Sequence, residues 1–337
     1  MAGFSRSYLA GTVVGFAVQP GVHVLRSDAS RPEFDRPDPA ASLGEGSGAS
    51  VCDGCVVWDA AQSLWLIVMT AGALAGVGAN LSWPCIVVFA ASTGAVLLLG
   101  HSVGMHRCLI HGSFLCPRWL ERTLVYCGVL TGIAGPIGLL RTHDLRDLAQ
   151  RQPSCHDYFA HRRAWWLDAI WQLHCRLELR RPPHIPVSTR IAHDPFYCHL
   201  ERTWRWHQLP WALVLFACGG WTWVAWGVCA RVVACNVGHW AVGHLAHRRG
   251  SRSYEVVGAA VQGYNVRFCA LITMGESWHN NHHAFPGSAR LGLERGQWDP
   301  GWWLIKLLAA AGWAWGLRTP ADLPVRAEVS RLAALAP

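Results

Sequence analysis

Gly275-Glu276-Ser277-Trp278-His279-Asn280-Asn281-His282-His283-Ala284-Phe285-Pro286 sets three histidines within five residues, in the spacing H-x-x-H-H. Read as a helix, the stretch brings His279 beside both His282 and His283, because residues three and four apart are neighbours on a helix surface. Imidazole is the commonest side-chain metal ligand and suits zinc, copper, iron and nickel. Three imidazoles converging on one point repel one another once protonated and gain little in an apolar core. The plain alternative is a polar loop that happens to be rich in histidine. A second histidine pair upstream argues against it: Val103-Gly104-Met105-His106-Arg107-Cys108-Leu109-Ile110-His111-Gly112-Ser113-Phe114. His106 and His111 directly follow an apolar run. They are five apart, a weaker one-face spacing on an α-helix than that of the later box.

Together the two motifs resemble those of the integral-membrane acyl-CoA desaturases, the stearoyl-CoA desaturase-like family. That family carries H-R-x-x-x-H, then a middle His box, then H-N-x-H-H followed by Phe-Pro. The string from Gly275 to Leu293, with Ser288-Ala289-Arg290, is similar to its bacterial members. The resemblance covers residues 60 to 320. It implies two iron ions held by histidines, an acyl chain on CoA or another acyl carrier as substrate, and dioxygen as oxidant.

Composition points the same way. Of 337 residues, 52% are hydrophobic and only 15% charged, which is apolar for a soluble enzyme. The mean hydropathy of +0.19 is low for a chain lying almost wholly in lipid, so a few spans plus a polar domain fit. Tryptophan, 20 in all, concentrates at membrane interfaces. A formal charge of +8 could serve anionic lipid, a phosphate-bearing substrate or nucleic acid. Nucleic acid is set aside, because the arginines flank apolar spans and no binding module is recognisable. The 13 cysteines are scattered, and only Cys52 and Cys55 have ligand-like spacing, with no second pair. Free thiols in a reducing compartment are the better reading.

Along the chain, residues 1–55 read as a flexible N-terminal arm rich in Gly, Ser, Ala, Pro and Asp. Residues 56–320 read as the membrane-embedded domain, and 321–337 as a C-terminal tail. Spans are expected near 64–81 and 84–100, each long enough for a hydrocarbon core of about 30 Å. The arginines from Arg107 to Arg205 place the intervening segment in the cytosol by the positive-inside rule. The block 209–247 reads as one span or two. If the two His boxes share one site they lie on one side of the membrane, so the number of crossings between them is even. A second hairpin turning near Gly219-Gly220 or a little after, with a short first leg, satisfies this. The expected fold is therefore all-α and integral to the inner, cytoplasmic membrane: two helical hairpins, about four spans, with a cytosolic helical His-rich domain. Arg162 to Arg181, with Trp165, Trp166 and Trp171, reads as a helix on the membrane surface or a buried cytosolic helix. The block Leu124–Leu140 is a candidate lining for an acyl tunnel or an ordinary core helix.

The resemblance assigns metal ligands at seven positions: His106, His111, His143, His247, His279, His282 and His283. His247 follows from anchoring on Trp240 and Gly250. His244 and His239, one and two turns earlier, are alternatives. Gly243 stands where the family has an asparagine that contacts metal through water. The second box departs most. Where the family has H-R-x-H-H, this chain has His143-Asp144-Leu145-Arg146-Asp147. Arginine stays protonated and cannot ligate, whereas a carboxylate can. Asp144 and Asp147 are thus candidates for direct or supporting roles, and His156 and His161 follow closely enough to swing in. His101 reads as a bystander or as a group that supports the ligands from outside.

Seven histidines exceed the needs of a structural or catalytic zinc, and two irons fit better. The leading reading is a fatty acyl desaturase that takes dioxygen and two electrons and gives a cis-alkene. The alternatives are a membrane hydroxylase or ketolase with the same di-iron chemistry, a zinc-dependent membrane lipid hydrolase, and a catalytically dead lipid-binding relative. No flavin, nicotinamide, iron–sulfur or haem motif is present, so the electrons require a separate donor such as ferredoxin or cytochrome b5 with a reductase.

Overall fold

Asp59 opens the first long helix. Its carboxylate accepts a hydrogen bond from the Gln62 amide at 2.9 Å, satisfying one of the free N–H groups of the first turn. The computed structural model describes residues 48–333. The described residues begin with β1 (Gly54–Trp58), then α1 (Ala60–Ala79), then α2 (Trp83–Ala95), which runs on as a π-helix over Val96–Ile110. Next come α3 (Arg118–Val129), α4 (Pro136–Arg151), α5 (Asp157–Ala160), α6 (Trp165–His174) and β2 (Cys175–Leu179). After α7 (Thr189–Ala192) and α8 (Pro195–Thr203), the second apolar block forms α9 (Gln208–Val224), a π-helical turn over Ala225–Ala230, and α10 (Arg231–Ala246). The remainder supplies β3 (Tyr254–Val256), α11 (His279–Ala284), α12 (Pro300–Ala310) and β4 (Val329–Arg331).

Among the described residues, three helical stretches are long and apolar enough to cross a membrane: Ala60–Ala79, Trp83–Ile110 and Gln208–Ala246. Their outward apolar side chains have no protein cover; Leu64, Leu74, Leu213 and Trp221 are each more than 60% exposed. A helix hydrophobic on its uncovered face suits lipid, where all its backbone polar groups are satisfied internally. The third stretch is not one rod. Gly219 and Gly220 leave helical geometry, and Gly220 takes φ +66, a left-handed conformation that glycine adopts freely. A Cβ on Gly227 would meet the Leu215 side chain at 2.6 Å. Residues 12 apart on a straight helix are about 18 Å apart, so the chain has folded back on itself. The turn falls where the sequence placed it, and the first leg is short as expected.

Small residues let these helices approach closely. Gly72 and Gly76 are one turn apart on α1, and an added Cβ would strike Cys229 and Ala225 respectively. Gly100 and Gly104 repeat the spacing on the π-helix, where a Cβ would strike the backbone of α3 at Cys127 and Leu124. Close backbone approach through glycines four apart is a packing device of helices in lipid, where dispersion replaces the hydrophobic drive.

Several expectations need correction. The fold is mainly helical, but β1 pairs antiparallel with β2, Gly54 opposite Leu179, and β3 pairs with β4. Strands of three to five residues are too short for their alternation to announce them. Residues 1–47 of the expected arm lie outside the described residues. Residues 48–55 do not behave as an arm: Val51 is buried, and its carbonyl accepts from the His156 amide. Part of the expected tail is likewise in β4. Leu124–Leu140 spans the end of α3 and the start of α4; Val125, Val129, Ile137 and Leu140 pack with Met105, Leu109 and Ile110 in one apolar cluster. On α6, Trp165 and Trp166 are exposed, in keeping with a surface helix beside the membrane. Every cysteine is free.

Candidate metal centre

The π-helix solves the spacing of the first box. In a π-helix the amide of residue i+5 bonds to the carbonyl of residue i, so residues five apart stack on one face. The His111 amide bonds to the His106 carbonyl at 3.0 Å, and the two ring Nε2 atoms lie 3.2 Å apart. His143 reaches the same point from α4, and His282 from α11. One ring nitrogen from each of His106, His111, His143 and His282 lies within 4.8 Å of the others.

The third box divides its histidines between two such groups. His282 joins the first. His279 and His283, one turn apart, face His247 at the end of α10. The three Nε2 atoms form a near-equilateral triangle: 3.1 Å from His279 to His247, 3.1 Å from His283 to His279, and 3.3 Å from His247 to His283. A triangle of that size has a point about 2 Å from every corner, the usual metal–imidazole distance. Burial, reinforced by neighbouring imidazoles, holds His279, His282 and His247 well below the usual histidine range, and burial lowers His283 to about 4. The rings are therefore neutral at physiological pH, with lone pairs available. His282 is 1% exposed and neither of its ring nitrogens has a hydrogen-bond partner. Buried polar atoms without partners are rare, and a metal ion at each group would satisfy this set. The residues present thus fit two metals.

The other sides of these rings are held. His247 Nδ1 donates to the Gly243 carbonyl at 2.6 Å. His106 Nδ1 lies 2.6 Å from Glu276 Oε2. His143 Nδ1 is 3.4 Å from Asp144 Oδ1. Such contacts fix ring orientation and raise ligand basicity. Burial pushes the Glu276 carboxyl up, but His106 and Arg107 outweigh it and hold the group well below the usual carboxylate range. Asp147 behaves likewise: burial is outweighed by His143, His282 and His283. Its Oδ2 is 4.0 Å from His282 Nε2, which places it beside the first group without joining it.

The remaining candidates separate clearly. His156 turns away; its Nδ1 accepts from the Tyr158 amide at 3.1 Å, capping α5. His239 stacks edge-on against His101, ring centroids 5.3 Å apart, and joins neither group. His244 and His161 both hydrogen-bond through Nδ1 to the buried Asp168, at 2.8 and 3.0 Å, forming a third cluster. Arg146, in the place of a family histidine, donates to Gln172 Oε1 at 2.7 Å.

The sequence reading missed the scaffold of the third box. Asn265 Oδ1 accepts from the amides of Asn280 and Asn281, capping α11. Asn280 ties that helix to Tyr254 and Gly263, and Asn281 ties it to Leu291 and Gln297. Arg107, 1% exposed, joins Glu276, Asp299 and the Ala289 carbonyl. Two asparagines inside a His box were a signal in plain view, since a buried amide is kept only where its partners are supplied.

Comparison with known proteins agrees with this arrangement. No protein-family model matches the chain. The chain is 36% identical over 265 residues to an sn-1 stearoyl-lipid 9-desaturase of Anabaena variabilis, covering 75% of this chain and 91% of that protein. It is 34% identical over 217 residues to an sn-2 palmitoyl-lipid 9-desaturase of Nostoc sp. (strain 36), covering 64% and 75%. An acyl-CoA C20 Delta5-desaturase of Anemone leveillei is 29% identical over 248 residues, covering 72% and 76%. With its paired histidine groups set against apolar helices, and with likeness extending over nearly the whole length of a lipid desaturase, the chain belongs to the membrane fatty acid desaturases and is an oxidoreductase.

Proposed function

We propose that this enzyme introduces a double bond into an acyl chain of a membrane glycerolipid at a di-iron centre. The observation that carries the reading is the pair of imidazole groups bridged by one short helix, α11. His106, His111, His143 and His282 would hold one iron, and His247, His279 and His283 the other. Iron suits imidazole, and a pair of irons supplies the oxidising power needed to remove hydrogen from an unactivated methylene using dioxygen. The protein's part is to fix the rings through Glu276, Asp144 and the Gly243 carbonyl, and to hold an acyl chain in one register against them.

The carrier expected from the family resemblance was CoA. Lipid-linked chains are preferred here because the relatives at 34–36% identity are lipid desaturases, whereas the acyl-CoA enzymes fall at 29–32%. The proposed topology has two hairpins crossing the cytoplasmic membrane, with the histidine groups on the cytosolic side. It rests on the reversal at Gly219–Gly220 and on the arginines from Arg107 to Arg205.

Taking two hydrogens from the acyl chain yields two electrons, and reducing dioxygen to two waters consumes four. A second protein must deliver the other two. An acidic carrier such as ferredoxin or cytochrome b5 would be drawn to a chain of charge +8, and salt would slow the encounter. In lipid nanodiscs holding an isotope-labelled saturated glycerolipid, the enzyme should form a monounsaturated product when given ferredoxin, its reductase and NADPH. Omitting ferredoxin should abolish the product. Turnover with NADPH alone would contradict the need for a carrier. A fully iron-loaded enzyme inert with both lipid and acyl-CoA in the complete system would contradict the desaturase assignment.

A further inference from the structure

The second box has lost two of the family's histidines, and the iron at His247, His279 and His283 is left with three imidazoles where the first group has four. The structure assigns His161 to this second group as its fourth imidazole, positioned by Asp168. This assignment rests on the di-iron reading above.

His161 is fully buried, and its Nε2 has no hydrogen-bond partner. Leaving such an atom bare forfeits its hydration without replacement, so something is expected to meet it. The residue caps α5 at φ +51, a left-handed conformation that histidine adopts more readily than most side chains. His161 lies at the C-terminal end of α5, and the left-handed turn there sends its ring inward against α10.

The ring arrives at a vacancy made for it. Gly243 carries no side chain, and a Cβ there would sit 3.3 Å from both Cε1 and Nε2 of His161. The same Gly243 carbonyl holds Nδ1 of His247. One residue thus orients one ligand and makes room for another. The His161 ring lies parallel to that of His247, within 6°, at a centroid distance of 5.3 Å. The centroids of His247 and His283, two members of the triangle, are also 5.3 Å apart.

Asp168 sets the tautomer. Its Oδ2 accepts from His161 Nδ1 at 3.0 Å, His244 Nδ1 at 2.8 Å and Trp240 Nε1 at 2.9 Å. With the proton on Nδ1, the Nε2 lone pair of His161 is free. An indole N–H would not face a cation, so Asp168 with its three donors is a support for ligands and not itself a ligand. The neighbouring Arg146 cannot ligate and is engaged by Gln172. His161 Nε2 stands outside the tight triangle of the other three and would be the further imidazole available to an ion held there.

The test is iron binding to the full-length protein in detergent, read by titration with Fe(II) and by the count of imidazoles around iron from X-ray absorption. Wild type should bind two irons. His161→Asn keeps a donor for Asp168 and tolerates the left-handed backbone, but removes Nε2. It should bind one iron tightly and the second at least tenfold more weakly, with affinity recovered by added imidazole. Asp168→Asn should weaken the second iron to a lesser degree. His156→Ala should bind both irons as wild type does. A His161→Asn protein that binds two irons at wild-type affinity would overturn the assignment while leaving the di-iron reading intact. A wild type that binds no more than one iron would overturn both.

Discussion

Replacing His282 with alanine should abolish turnover and remove most of the bound iron. His282 belongs to the first group and also lies against two rings of the second: its centroid is 4.6 Å from His106, 4.9 Å from His111, 5.6 Å from His279 and 5.8 Å from His283. Losing a group that only supports a ligand already lowers metal affinity or activity by about 10–100-fold. Losing a ring at the junction of two metals should therefore lower turnover by on the order of a thousandfold or more. Iron per chain, measured colorimetrically on purified protein, should drop from two to below one. Retention of two irons and wild-type turnover would show that His282 is not a ligand.

Replacing Arg107 with alanine should unfold much of the site without touching a ligand. Its guanidinium donates to Asp299 Oδ1 at 2.8 Å, to the Ala289 carbonyl at 2.8 Å and to Glu276 Oε1 at 3.3 Å. Asp299 in turn accepts from the amides of Leu291 and Gly292 and caps α12 through the Trp302 amide. Removing the arginine takes from Glu276 and Asp299 the cation that they share. Breaking such a buried network by deleting one partner costs about 3–5 kcal/mol. Arg107→Lys should fail as well, because a single ammonium cannot replace the planar fork that reaches several acceptors at once. The measurement is the thermal midpoint in detergent together with iron content; both should fall, since Glu276 also faces His106. A midpoint unchanged from wild type would mean that the network carries no weight.

Much of the site was legible because imidazoles are rare enough to be conspicuous. The first two long apolar helices, the helix break at Gly219-Gly220 and seven candidate histidines were readable, and the structure brings those seven into two groups. Three features were hidden for physical reasons. The spacing of His106 and His111 looked poor because it was judged on an α-helix; a sustained π-helix has no sequence signature and only the backbone reveals it. The three rings of the third box were expected to converge on one face, whereas a three-residue step and a four-residue step diverge enough to serve two neighbouring points. His156 and His161 looked equivalent after the altered second box. They part because His156 caps α5 from outside while the left-handed turn at His161 sends its ring inward. Glu276 and Arg107 act from beyond the ligands through partners 169 to 192 residues apart in the chain, which sequence spacing does not announce, and Asp168 joins His161, 7 residues away, to His244, 76 residues away.

The central claim is that this chain desaturates fatty acyl groups at its paired histidine centre. It is tested most directly by expressing the protein, beside its His282→Ala variant, in a host lacking its own desaturase, and localising double bonds in the lipid acyl chains. The account predicts a monounsaturated product at one position with the wild-type chain, none with the variant at equal abundance, and none without oxygen. A lipid profile identical to the empty host, from cells holding the iron-loaded wild-type protein and a competent ferredoxin system, would contradict it.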